Sequence, residues 1–164
     1  MIVNSFKDAM ANYPTGVSVV TAIDENANPI ELTVNSFASV SLDPLLVLWS
    51  IDEGVSTFER FKKAEQFAIN ILANTQEEVA TLFASSNKDR FANSEWNLSQ
   101  YKLPIIKGAV ATIQCKTHKK VKAGDHVILI GEVFDISLDN KLPLLYHGRK
   151  MGSLPTSFHD DLRL

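Results

Sequence analysis

The sequence predicts a mainly β barrel with a few short flanking helices. Runs rich in β-branched and aromatic residues recur along the chain, separated by clusters of turn-forming residues. Only three stretches carry helix signals, too few for a parallel sheet, whose crossovers need a helix after nearly every strand. The chain has 164 residues, and roughly 150 residues per domain is usual, so one domain over 1–164 is expected. A chain of this length buries about two thirds of its unfolded surface and needs no disulfide or metal to hold a core.

Taken in order, Asn4 to Met10 places Phe6 and Met10 four apart. That spacing predicts a short amphipathic helix over 4–12, ended by Pro14 and Gly16. Val17–Ile23 is β-branched and reads as a buried strand. Asp24-Glu25-Asn26-Ala27-Asn28-Pro29 reads as a turn, making a hairpin with a strand at about 30–36. Leu45–Ile51 is a third strand after the Asp43-Pro44 break. Ser56-x-x-Glu59 and Thr75-x-x-Glu78 each match a capping box that opens a helix, with a strand at Phe67–Leu72 between them. Residues 85–103 show no clear period and read as a long loop, which in a compact domain is usually functional or mobile. Two long strands, about 109–121 and 126–137, are joined by Lys122-Ala123-Gly124-Asp125. In the first, Ile113 and Cys115 share one face while Gln114, Lys116 and His118 share the other, as in a half-buried strand.

Composition excludes several function classes. Hydrophobic residues at 45% and charged residues at 21% are those of a soluble globular protein. A net charge of −3 provides no field that would gather nucleic acid. The longest apolar runs, Leu45–Trp49 and Val127–Ile130, fall far short of the roughly 18 residues that span a bilayer. The N-terminus lacks a basic stretch followed by an apolar one, so no signal peptide and a cytoplasmic location are expected. The one cysteine, Cys115, has no partner in the chain, which fits a reducing compartment. Cys115, His118 and His126 match no zinc spacing, so no metal is expected. No Gly-x-Gly-x-x-Gly occurs, which removes a Rossmann route to a dinucleotide.

Three runs stand out: Tyr13-Pro14-Thr15-Gly16-Val17; Thr33-Val34-Asn35-Ser36-Phe37 followed by Ser39-Val40-Ser41-Leu42-Asp43-Pro44; and Gly124-Asp125-His126 leading to Ile130-Gly131-Glu132-Val133. In this order and spacing they resemble the flavin reductase family with the FMN-binding split β-barrel fold, over Phe6 to about Gly152. The resemblance implies an enzyme that binds FMN or FAD and reduces it with NADH or NADPH. It also implies a homodimer with flavins between subunits and a partner monooxygenase that receives the reduced flavin. By resemblance, Thr33, Val34, Asn35 and Ser36 line the flavin, with Ser50 and Ile51 facing its ring. Ser56 and Thr57 meet its phosphate at a helix start. Phe83, Ala84 and a basic residue of the following loop, Arg90 or the nearby Lys88, contact its chain and phosphate, and His126 sits beside the nicotinamide. Tyr146 stands in for an aromatic common near Met151. Glu31 departs from the family, whose members commonly carry glycine there, and Leu45 replaces a second proline.

Plainer readings exist for each. Thr33–Ser36 could be a solvated sheet edge, Ser56 with Glu59 a simple cap, Arg90 a loop charge, and Asp125-His126 a polar turn. A flavin-binding protein without reductase activity, or an oxidase on the same scaffold, is compatible with the same fold. A dimer is further suggested by large apolar residues near loops and turns: Phe37, Leu45, Trp49, Phe58, Phe61, Phe83, Phe91 and Trp96.

Overall fold

The computed structural model describes residues 1–86 and 89–159. The chain runs α1 (Ile2–Ala11), β1 (Thr15–Gly16), β2 (Ser18–Ile23), β3 (Pro29–Val34), β4 (Ala38–Leu42) and β5 (Leu45–Asp52). Next come α2 (Phe58–Lys63), β6 (Gln66–Ile71), α3 (Glu77–Ala84) and a 3-10 turn at Phe91–Asn93. The last strands are β7 (Trp96–Leu98), β8 (Pro104–Ile106), β9 (Ala111–Ala123), β10 (His126–Leu138), β11 (Leu144–His147) and β12 (Lys150–Ser153).

Seven strands form one antiparallel sheet in the order β3-β2-β6-β9-β10-β5-β4. Its two edge strands, β3 and β4, are consecutive in the chain. A link of only Asn35–Phe37 joins them, and so short a segment reaches roughly 14 Å at most, which forces the sheet to curl until its edges meet. Ser36 stitches the seam: its hydroxyl accepts from the Ser50 N–H at 3.0 Å and donates to the Ser50 carbonyl at 3.2 Å. The mainly β barrel expected from the sequence is thus present.

The barrel interior is filled by Val20, Ile30, Trp49, Ile51, Phe67, Ile69, Cys115 and Leu129, with Phe58 and Phe61 of α2 packed in. Trp49 meets Phe61 and Phe67 edge to face at 5.1 and 5.9 Å. A second apolar cluster lies on the other side of β2. There Val17, Val19, Leu72, Ile106 and Leu144 pack against Ala80 and Phe83 of α3. With cores on both sides, β2 is buried almost throughout. Gly131 of β10 lets two strands approach closely, since a Cβ there would meet the Phe67 ring and lie 2.7 Å from the Cys115 Cβ. Burial pushes the Cys115 thiol up to about 12, so it packs as an inert apolar group.

Several expectations need correction. α1 starts at Ile2, and none of its residues is buried; Phe6 and Met10 face solvent. Neither capping box forms. Thr57 caps α2 and Gln76 caps α3, both without a side-chain cap hydrogen bond. The Gln76 amide instead accepts from the Ala73 N–H at 3.0 Å and donates to the Lys107 carbonyl at 2.7 Å. The stretch 85–103 is not a featureless loop, because it holds the 3-10 turn and β7, which pairs with β8 just beyond it. On β9, Lys116 and His118 are exposed as expected, but Gln114, and Thr112 beyond it on the same face, are buried. Gln114 accepts from Ser99 at 2.7 Å and donates to Asp135 at 2.6 Å. Four of the apolar residues read as surplus, Trp49, Phe58, Phe61 and Phe83, are core within the single chain. Among the described residues no helix is long and apolar enough to cross a membrane.

Candidate functional site

The segment leaving β3 is held at both ends by its own hydroxyls. Thr33 Oγ1 donates to the Ala80 carbonyl of α3 at 2.8 Å, and Ser36 is fixed to Ser50 as described. Val34 between them points into the core. Asn35 is exposed, and its amide has no hydrogen-bond partner among the described residues. Of the three polar side chains singled out in sequence, two already serve the chain and the third, Asn35, faces solvent.

Ser50, Ile51 and His126 meet at one end of the sheet. β5 and β10 pair so that Ser50 opposes Ile128, Ile51 opposes Val127 and Asp52 opposes His126. Ile51 is buried in the barrel, while Ser50 is half-buried beside Ser36. The β9–β10 turn is the two-residue Gly124-Asp125, with Gly124 at φ +63°, the conformation such hairpins demand of their first residue. The Asp52–Val55 turn docks on it: the Glu53 N–H donates to the Asp125 carbonyl at 3.0 Å, and Lys122 pairs with Glu53. Ser56 and Thr57 follow directly, Ser56 exposed and Thr57 buried.

The half-exposed His126 ring is oriented by its neighbour, with Nδ1 2.7 Å from Asp125 Oδ1. That hydrogen bond, aided by the imidazole charge, holds the Asp125 carboxyl below its usual range. An ionised carboxylate only accepts, so Nδ1 carries a proton, and Nε2 is the ring nitrogen left to meet a ligand.

The remaining candidates surround α3. Phe83 is fully buried and Ala84 exposed. Arg90 Nη1 donates to the carbonyls of Ser85 at 2.7 Å and Phe83 at 3.3 Å, while Nη2 lies 2.5 Å from Glu31 Oε1. Glu31 is buried; desolvation raises its carboxyl, and the charges of Arg90 and Arg60 pull it back. Tyr146, opposite Thr15 in register, packs on the same cluster as Phe83. Lys88 lies outside the described residues.

The structure therefore gathers Ser36, Ser50 and His126 at the sheet end, with the Ile51 side chain turned away into the barrel core, and Thr33, Phe83, Ala84, Arg90 and Tyr146 around α3. The Thr33–Ser36 segment runs between the groups. Two depressions lie elsewhere: one of about 700 Å³ beside Asp24, Lys63, Leu98 and Tyr101, another of about 750 Å³ along the outer face of α3 by Glu78 and Thr81. None of the candidate residues lines either depression. Sequence reasoning missed the role of Glu31, noted only as a departure, and that of Asp125 in orienting His126.

Comparison with known proteins identifies the family. Residues 10–155 match the family described as flavin reductase like domain. The chain is 47% identical over 131 residues to the reductase component of the flavin-dependent trigonelline monooxygenase of Acinetobacter baylyi, covering 80% of this chain. It spans only 42% of that relative's length, less than half. It is 38% identical over 148 residues to the FMN reductase (NADH) SmoA of Agrobacterium fabrum, covering 90% of this chain and 84% of the relative. Among solved structures, the NADH:FAD oxidoreductase of Streptomyces globisporus, captured with NAD and FAD fragments, superposes with a TM-score of 0.89 at 32% identity. That match covers 94% of this chain and 93% of the other. With the family match running through nearly all of its strands, this chain belongs to the flavin reductase like domain family and has its split β-barrel fold.

Proposed function

We propose that this protein is an NAD(P)H:flavin oxidoreductase of the cytoplasm, a single domain that binds FMN or FAD and supplies reduced flavin to a partner monooxygenase. The observation that carries the reading is the Thr33–Ser36 segment, pinned through both hydroxyls while the Asn35 amide beside it has no partner among the described residues. A flavin ring has a polar edge of alternating acceptors and one N–H, which an amide and adjacent backbone groups can meet. The residues present suit that ligand.

When bound, the flavin supplies the acceptor for the hydride of NADH or NADPH. The chain's own task is placement, because hydride transfer needs no protein acid or base but does need the reactants held about 3–3.5 Å apart with water excluded. Asn35, Ser50 and the backbone around them would hold the ring edge. His126, its Nδ1 fixed by Asp125, offers Nε2 to the N–H₂ of a nicotinamide carboxamide. Ser56 and Thr57 offer hydroxyls to the phosphate. A Ser56→Ala/Thr57→Ala double variant is therefore expected to weaken FMN binding by about 1–3 kcal/mol while leaving riboflavin, which lacks the phosphate, unaffected. Unchanged FMN affinity in the folded variant rejects the phosphate assignment.

A homodimer belongs to the same reading. The support comes from apolar side chains left bare by one chain rather than from the aromatics of its core. Ile2 and Phe6 on α1 are 83% and 65% exposed, and Leu42 on the edge strand β4 is 88% exposed. Sedimentation at micromolar concentration is expected to show a flavin-loaded dimer; a flavin-loaded monomer contradicts this.

A further inference from the structure

Glu31 and Arg90 form a buried pair to which the proposed chemistry assigns no part. Their side chains are 5% and 19% exposed. A carboxylate withdrawn from water is costly unless paired, and even a good pair seldom adds net stability, so its retention calls for another reason. Geometry supplies one. The guanidinium that faces Glu31 also donates to the carbonyls of Phe83 and Ser85, at the end of α3. Helix-end carbonyls lack intrahelical partners, and arginine suits them through both charge and its fork of donors.

Glu31 and Thr33 are two apart on β3 and so leave the strand on the same side. Both reach α3. Thr33 ties the middle of the helix through the Ala80 carbonyl, and Glu31 ties its end through Arg90. Beyond Arg90 the chain is anchored by stacked aromatic edges, Phe83 to Phe91 at 5.3 Å and Phe91 to Trp96 at 5.0 Å.

We infer that Glu31 is a positioning residue of the flavin site: through Arg90 it holds the carbonyl end of α3, and with it Phe83 and Ala84, in place beside the Thr33–Ser36 segment. This rests on the flavin reading above. It makes Arg90 part of the wall rather than a ligand of the flavin phosphate, because its charge is met by Glu31 and its Nη1 is held by two carbonyls.

The test titrates the full chain and three variants, Glu31→Gln, Arg90→Gln and the double, with FMN and with riboflavin by quenching of flavin fluorescence. The visible spectrum of bound flavin and the unfolding midpoint are recorded for each. Both single variants are expected to weaken FMN and riboflavin by the same factor, about tenfold, and to shift the bound spectrum. The double variant is expected to lose no more than the weaker single, because either change severs the same tie. Glu31→Asp, which keeps the charge, should bind better than Glu31→Gln. Arg90→Gln that weakens FMN but spares riboflavin overturns the inference by making Arg90 a phosphate ligand. So do single variants that bind and absorb like the parent, or a double loss that is the product of the singles. Should Glu31→Gln fail to fold, Arg90→Gln carries the same comparison from the more exposed partner. A parent that binds neither flavin overturns the flavin reading and this inference with it; a parent that binds both beside unaltered variants overturns the role of Glu31 alone.

Discussion

Asn70→Ala is expected to lower the unfolding free energy by about 3–5 kcal/mol, a large share of the 5–15 kcal/mol typical of a domain. Asn70 on β6 is fully buried and uses its whole amide. Its N–H₂ donates to the Val19 carbonyl at 3.0 Å and Thr21 Oγ1 at 3.1 Å. Its oxygen accepts from the Ile106 N–H at 3.0 Å and Thr112 Oγ1 at 3.3 Å. Truncation leaves a cavity and strands several of these partners without water, and each buried group so orphaned costs about 1–3 kcal/mol. Asn70→Asp should be worse at neutral pH, because a carboxylate has no proton for Val19 and brings an unpaired charge into the core. The network bolts β8 to the barrel, and Ile106 of β8 packs in the cluster that seats Phe83, so the site wall loosens with the fold. Chemical denaturation of the purified variant measures the loss; a change under about 1 kcal/mol shows that the network does not hold β8.

The largest functional effect is expected at His126. His126→Ala should lower kcat/KM for NADH or NADPH by about 10–100-fold, the worth of roughly 1.4–2.8 kcal/mol of transition-state positioning. Flavin affinity should stay close to that of the parent, because the backbone of β10 is held by its pairing with β5 and β9 rather than by the imidazole. Steady-state kinetics with flavin titration in parallel decides the matter. An equal loss of flavin affinity assigns His126 to the fold, and parental kinetics removes it from the site.

Much of the fold was legible because its strands announce themselves locally. The β-branched run of β2, the turn at Asp24–Pro29, and the long β9–β10 hairpin around Gly124-Asp125 each follow from residues adjacent in sequence. What escaped depended on contacts between distant residues. The three-residue strands β7 and β8 are too short to show a period of two, and only their mutual pairing makes them strands. Ser56 and Thr75 head motifs that suit a capping box, yet the helices begin later and Gln76 has better partners at Ala73 and Lys107. Buried Thr112 and Gln114 look like a solvent face until Asn70, Ser99 and Asp135 are found opposite them.

The site shows the same division. His126 and Asn35 could be picked out by residue type and neighbours, whereas the service of Thr33 to Ala80 and of Ser36 to Ser50 could not. Glu31 appeared in sequence as a lone departure from its family. Its partner Arg90 lies across the second core, and only the folded chain turns an unexplained charge into a tie between β3 and α3.

The central claim is hydride transfer to a flavin held by this chain, and anaerobic mixing tests it most directly. With FMN or FAD bound and oxygen excluded, adding NADH or NADPH is expected to bleach the yellow of the oxidised flavin, fast with the parent chain and slowly with His126→Ala. Flavin that binds tightly, stays yellow with both nicotinamides and bleaches only with a chemical reductant would contradict the account and leave a binding module on the same barrel.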